Sequence, residues 1–116
     1  MKKEIEAKQG CPVDYAFKRI GGKHKGKILW SLAQHEILRY GELGRIMNET
    51  TSKMLTQTLR ELEQDDLINR KVYLEVPPKV EYSLSKTGAK LIPFIKCLGD
   101  WGNEQLKKET LNKKKK

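Results

Sequence analysis

Residues 50–84 read TTSKMLTQTLRELEQDDLINRKVYLEVPPKVEYSL, and a change of period inside this stretch decides the fold. From Thr51 through Asp65 the apolar residues Leu55, Leu59 and Leu62 recur at helical spacing, while Lys53, Thr56, Gln57 and Arg60 take the opposite face. One side can pack. The other carries cations, an amide and a hydroxyl, the groups that reach phosphates and base edges when a helix lies in a major groove. After Asp66 the period becomes two: Ile68, Val72 and Leu74 alternate with Asn69, Lys71 and Tyr73, then Val80, Tyr82 and Leu84 with Glu81 and Ser83. Two antiparallel strands are expected, joined at Val76-Pro77-Pro78, where prolines that cannot donate to a ladder stiffen an exposed tip. Lys79 is expected at the base of this wing. A recognition helix, capped by Thr51, followed by a β-wing is the resulting expectation.

Working back toward the N-terminus, Asn48-Glu49-Thr50 makes a tight turn after a short helix over Glu42–Met47 carrying Leu43, Ile46 and Met47. Before that, Lys25–Gln34 has a stripe of Ile28, Leu29 and Leu32, with Lys25 and Lys27 at its entry, able to face a phosphate backbone. A first helix starts with Pro12, shows Val13, Phe17 and Ile20 on one side, and stops at Gly21-Gly22. Residues 1–10 are polar and aperiodic and read as a mobile arm. Toward the C-terminus, Ser85 can cap a last helix from Lys86, with Leu91, Ile95, Leu98, Trp101 and Leu106 as its stripe and a bend expected near Pro93 or Gly99. That stripe, with Val13 and Phe17, has no obvious partner in a chain this short, which implies a homodimer built from the first and last helices.

The fold class read from this pattern is mainly α with a small antiparallel β-wing: a winged helix-turn-helix domain over residues 11–106 and a basic tail over 107–116. At 116 residues and 37% hydrophobic content, the chain supports one modest core rather than a large enclosed pocket. The net charge of +9 favours an anionic partner, although residues 107–116 hold six Lys against one Glu and account for much of it. This run reads as a solvated, disordered end that adds at most nonspecific attraction to DNA. Within the body the charge is uneven: Lys18, Arg19, Lys23, Lys25 and Lys27 cluster without an acid, whereas Glu61, Glu63, Asp65 and Asp66 gather elsewhere.

No apolar run approaches the length of a membrane span and no secretory pattern opens the chain, so a cytoplasmic protein is expected. Cys11 and Cys97 are then reduced thiols at the outset, not a disulfide framework. His24 and His35 form no close ligand pair with a cysteine, and neither a phosphate-cradling glycine loop nor a nucleophile elbow is present. No enzyme activity, metal or cofactor is expected.

Cys11-Pro12-Val13, Gly21-Gly22-Lys23, Met54-Leu55-Thr56-Gln57, Leu59-Arg60-Glu61-Leu62, Glu75-Val76-Pro77-Pro78-Lys79-Val80-Glu81-Tyr82 and Asp100-Trp101-Gly102 together resemble the HxlR family of bacterial winged-helix regulators. The order and spacing of these motifs, covering Cys11 to Leu106, make the resemblance specific. It implies a dimer, related in architecture to the MarR regulators, that binds operator DNA as repressor or activator. His24 departs from the family pattern, which usually places Trp after Gly-Gly-Lys.

Two recognition helices would then enter successive major grooves of a roughly palindromic operator while the wings touch flanking backbone. Lys53, Gln57 and Arg60 are the candidates for base-edge or phosphate contacts, with hydroxyls from Thr51, Ser52 and Thr56, and with Lys25, Lys79 and less directly Lys71 on the backbone. Val13, Phe17, Leu91, Ile95, Leu98 and Trp101 are the candidate dimer interface. Arg70 can pair with Glu75, Glu81 or a helix carboxylate as readily as it can touch DNA. At the start of the first helix, unpaired N–H groups and the dipole favour a thiolate at Cys11. The resemblance adds that several family members sense quinones, aldehydes or oxidants through a cysteine at this motif, so a small electrophile or oxidant is a candidate effector. Packing near the dimer seam is the equal alternative for Cys11, and core or interface packing the favoured one for Cys97. The rival to DNA binding is a winged helix serving as a protein-interaction module through its acidic cluster.

Overall fold

The computed structural model describes residues 10–115; the expected N-terminal arm lies outside them except for Gly10. The elements are α1 (Pro12–Ile20), α2 (Lys25–His35), β1 (Ile37–Arg39), α3 (Tyr40–Ile46), α4 (Ser52–Gln64), β2 (Ile68–Tyr73), β3 (Lys79–Leu84) and α5 (Lys86–Lys115). The three strands form an antiparallel sheet in the order β1-β3-β2. This is the winged helix-turn-helix architecture, with α3 and α4 as the two helices of the motif and β2-β3 as the wing.

One apolar cluster holds these elements together. Ile28, Leu29 and Leu32 of α2 meet Leu43 and Met47 from the α3 region, Leu55, Leu59 and Leu62 of α4, and Leu38, Leu67, Ile68 and Tyr82 from the sheet side. Each helix contributes one stripe, so burial rather than intrinsic propensity fixes the short helices. Their ends are locally specified. The Thr51 hydroxyl accepts the Met54 N–H at 3.1 Å, and the Glu42 carboxylate accepts the Arg39 N–H at 2.8 Å at the start of α3. After α4, Asp66 turns the chain at φ 60°, a left-handed conformation that Asp tolerates better than most residues.

The wing pairs Ile68 with Leu84 at its root and Tyr73 with Lys79 at its far end. Lys79 therefore stands at the outer end of the ladder, beside the proline loop, and not at the base. The alternation read from the sequence buries only the root: Ile68 is in the core, while Val72 and Leu74 are exposed because the outer wing projects beyond the body. The strand β1 was not foreseen. Ile37–Arg39 pairs with residues 81–83 of β3 and closes the second edge of the wing sheet.

The last helix also departs from expectation. α5 runs without interruption from Lys86 to Lys115, with Pro93 in its interior, so the segment expected to be a disordered tail is helical up to residue 115. A helix once nucleated propagates at the cost of one residue per bond, and Lys, Leu, Gln and Glu all sustain it. Among the described residues no helix is long and apolar enough to cross a membrane.

Candidate nucleic-acid interface

The α4 helix packs Leu55, Thr58, Leu59 and Leu62 inward. Thr58 belongs to this face without harm because its hydroxyl returns its proton to the Met54 carbonyl at 2.8 Å. The opposite face is left to Lys53, Gln57 and Arg60, all exposed. Among the described residues none of these three is held by a side-chain hydrogen bond or an ion pair, so their polar groups are free to meet an external acceptor. Ser52 is exposed at the first turn, and Thr51 is committed to capping.

Carboxylates elsewhere on α4 are already engaged. Glu61 lies 3.6 Å from Lys25 Nζ and Glu63 lies 3.5 Å from Arg70 Nε, so the helix is braced on one side to α2 and on the other to β2. Lys25 thus sits against the C-terminal half of α4, with its side chain only 15% exposed, away from the Lys53-Gln57-Arg60 row. Arg70 takes the helix carboxylate among its three possible partners. Asp66, the remaining member of the acidic cluster with Asp65, is a turn residue whose carbonyl accepts the Ser85 hydroxyl at 2.6 Å. Two of the four carboxylates in that cluster, Glu61 and Glu63, are therefore paired inside the domain.

Thr56 is half-buried on the flank of α4 rather than on its outer row, and its hydroxyl meets Tyr40. Tyr40 was not a candidate from the sequence. Nothing near it in the chain signals a role, because its partners lie 12 and 16 residues away. Behind them Tyr82 is buried, and burial pushes its phenol above the ordinary value while the Arg70 cation pulls the other way.

On the wing, Lys71 and Lys79 flank one ring, at 4.9 and 4.5 Å from the Tyr73 centroid, and Lys79 also lies 3.5 Å from Glu81. Both cations are thereby held at the outer wing, Lys79 half-buried. Beyond them Leu74 and Val76 are almost wholly exposed.

The α1 and α5 surfaces carry the other apolar residues that the body leaves uncovered. Val13, Phe17, Leu98 and Trp101 are 58, 55, 53 and 64% exposed, whereas Leu91 and Ile95 are partly buried against the core of their own chain. Phe94, passed over in the sequence, falls on the same helical face between Leu98 and Trp101 and is as exposed as Trp101. Between these helices lies an open groove of about 730 Å³ lined by Phe17, Ile20, Trp30, Ile95 and Leu98 among others. Cys11 is exposed at the N-cap of α1, and its side chain makes no capping bond. Cys97 is exposed as well, so within one chain it is not a core residue.

Comparison with known proteins bears on this arrangement. The family model described as HxlR-like helix-turn-helix matches residues 19–110. The chain is 50% identical over 95 residues to an uncharacterized HTH-type transcriptional regulator, YtcD, of Bacillus subtilis, covering 82% of this chain and 75% of that one. It is 48% identical over 92 residues to an uncharacterized HTH-type transcriptional regulator of Methanothermobacter thermautotrophicus, covering 79% and 70% of the two chains. The solved structure of the redox regulator HypR in its reduced form superposes with a TM-score of 0.78 at 41% identity, covering 81% of this chain and 92% of that one. The oxidized form of HypR gives 0.77 at 42% identity, with 81% and 96% covered.

Proposed function

Since the chain belongs to the HxlR-like helix-turn-helix family, whose members are transcriptional regulators and not enzymes, we propose that it binds a palindromic operator as a homodimer. In this reading α4 enters the major groove, Lys53, Gln57 and Arg60 meet base edges or phosphates, and the wing cations Lys71 and Lys79 touch flanking backbone. The observation that carries the reading is the row of unengaged polar side chains on α4, left free while its neighbouring carboxylates are tied to Lys25 and Arg70. Thr51 and Ser52 lie at the helix start, where N–H groups also favour a phosphate. Lys25 is the weakest of the backbone contacts because it sits against the C-terminal half of α4, away from the Lys53-Gln57-Arg60 row. The apolar faces of α1 and α5 supply the dimer contact, which would place two recognition helices about 34 Å apart, one turn of duplex.

We further propose that Cys11 is where a thiol-reactive electrophile or oxidant acts on the regulator. Its exposure beside the proposed dimer face supports this, as does likeness to a protein described as a redox regulator in reduced and oxidized forms. Modification there would alter the seating of α1 and with it the spacing of the two α4 helices. No specific observation favours the protein-interaction alternative, and two of the four carboxylates on which it rested are paired with Lys25 and Arg70.

Genome-wide footprinting with purified protein tests both statements. Wild type is expected to give compact palindromic footprints, and a Gln57→Ala/Arg60→Ala variant is expected to lose them while remaining folded. Electrophile is expected to change occupancy in wild type and not in Cys11→Ser. Specific footprints retained by the double variant would defeat the α4 assignment, and equal electrophile responses would reduce Cys11 to a packing residue.

A further inference from the structure

Tyr40 opens α3, and its single hydroxyl reaches two groups in the first two turns of α4: the Ser52 carbonyl oxygen at 3.0 Å and Thr56 Oγ1 at 2.9 Å. A phenol has one proton to give. The carbonyl can only accept, so that proton goes to Ser52, and the second contact must be the Thr56 hydroxyl donating to the Tyr40 oxygen. Helical threonines commonly return their proton to the carbonyl four residues back, as Thr58 does to Met54 at 2.8 Å and Thr110 to Leu106 at 3.0 Å. Thr56 gives its proton to Tyr40 instead. The ring of Tyr40 packs partly buried against the core, so the hydroxyl is held from behind.

We propose that Tyr40 is a positioning residue for DNA recognition, fixing the first two turns of α4 through Ser52 and Thr56. The inference rests on α4 being the reading helix and adds how that helix is aimed. Lys53 and Gln57 project from the same first turns, so a rotation of this segment moves their tips more than its own backbone.

The test compares wild type, Tyr40→Phe, Thr56→Val and the double variant as full-length proteins, on a duplex recovered by footprinting, on its single-base variants and on an unrelated duplex. Loss of one hydrogen bond of about 1 kcal/mol corresponds to roughly five-fold weaker binding. Tyr40→Phe is expected to lose about that much on the specific duplex and nothing on the unrelated one, with melting lowered by only the few degrees that one such bond is worth. The double variant is expected to lose little more than either single one, because both remove the same link. Amide exchange over Leu55–Gln57 is expected to speed up in Tyr40→Phe even without DNA. Unaltered exchange and unaltered specific affinity would overturn the proposal, as would a parallel loss on both duplexes, which marks a merely structural residue. Absence of any specific duplex for wild type would instead defeat the DNA reading of α4, and that outcome is separately visible in the wild-type arm.

Discussion

Gly88 lies against the carbonyl of Leu67 so closely that a Cβ at position 88 would overlap it. The contact joins the first turn of α5 to the turn that links α4 and the wing. Hydrogen bonds surround it: the Gly88 N–H donates to Ser85 Oγ at 2.9 Å, that hydroxyl donates to the Asp66 carbonyl, and the Ser85 N–H donates to the Leu67 carbonyl at 3.1 Å. The start of α5 is thus anchored on the turn that follows α4.

Gly88→Ala should therefore destabilise the domain by about 1–3 kcal/mol, the range for forcing extra atoms into a packed site. A control is available in α3, where Gly41 is exposed and a Cβ meets nothing within 4 Å. Gly41→Ala should stabilise by roughly 0.5–1 kcal/mol, the helical cost of glycine. Urea denaturation of both variants checks the pair, and equal effects would show that the α5 anchor is slack.

What the sequence showed and what it hid divide along physical lines. The α4 helix and the wing could be read because each repeats its own period over many residues and the two prolines mark the tip. Ile37–Arg39 could not, since three residues carry no period and become a strand only because the edge of β3 is there to pair with. The polar row Lys53-Gln57-Arg60 was legible by position alone. The diversion of Thr56 to Tyr40 and of Lys25 to Glu61 was not, because both depend on which distant helix lies alongside. The final run of lysines read as a charge tract, and only continuity with α5 makes Lys113–Lys115 helical.

The phenol of Tyr82 gives a pH prediction. Its folded-state value is raised by burial, so the fold favours the protonated form, and the stabilisation is fully present below the ordinary phenol pKa of about 10. It is lost as pH rises past that value and through the higher folded one. Melting temperatures of wild type and Tyr82→Phe should therefore agree within a few degrees near pH 7 and diverge above pH ~10, with the variant less affected. Parallel curves up to pH ~11 would mean that Tyr82 ionises as freely in the folded state as in the unfolded one.

Dimerisation through α1 and α5 predicts that charge at their exposed apolar residues separates the subunits. Trp101→Lys together with Leu98→Lys removes two side chains that the single chain leaves more than half exposed. Folding should survive, because Leu91, Ile92 and Ile95 on the same helix carry its contact with the core. Sedimentation should show a dimer for wild type and a monomer for the variant at micromolar concentration. A monomeric wild type, or a variant that still dimerises, would place the interface elsewhere.

Arg60 and Lys79 should fail differently when each is replaced by Ala. Arg60 stands on the outer row of α4 with a planar fork of donors that matches the O6 and N7 of guanine. Its loss should cost about 1–3 kcal/mol on the specific operator and relax the preference at one base pair, while affinity for unrelated DNA changes much less. Lys79 stands at the far end of the wing ladder, its ammonium 4.5 Å from the Tyr73 ring centroid and 3.5 Å from Glu81, where it offers a fixed point charge with no geometry for a base edge. Removing it should weaken binding to every sequence alike and reduce the slope of log affinity against log salt by about 0.9, the release of one phosphate's counterion. Titrations of both variants at several salt concentrations, on operator and on single-base variants, separate the two roles. If Arg60→Ala changes only the salt slope, the residue is a phosphate contact and base reading falls to Gln57 and Lys53; if Lys79→Ala leaves the slope intact, the wing does not reach the duplex.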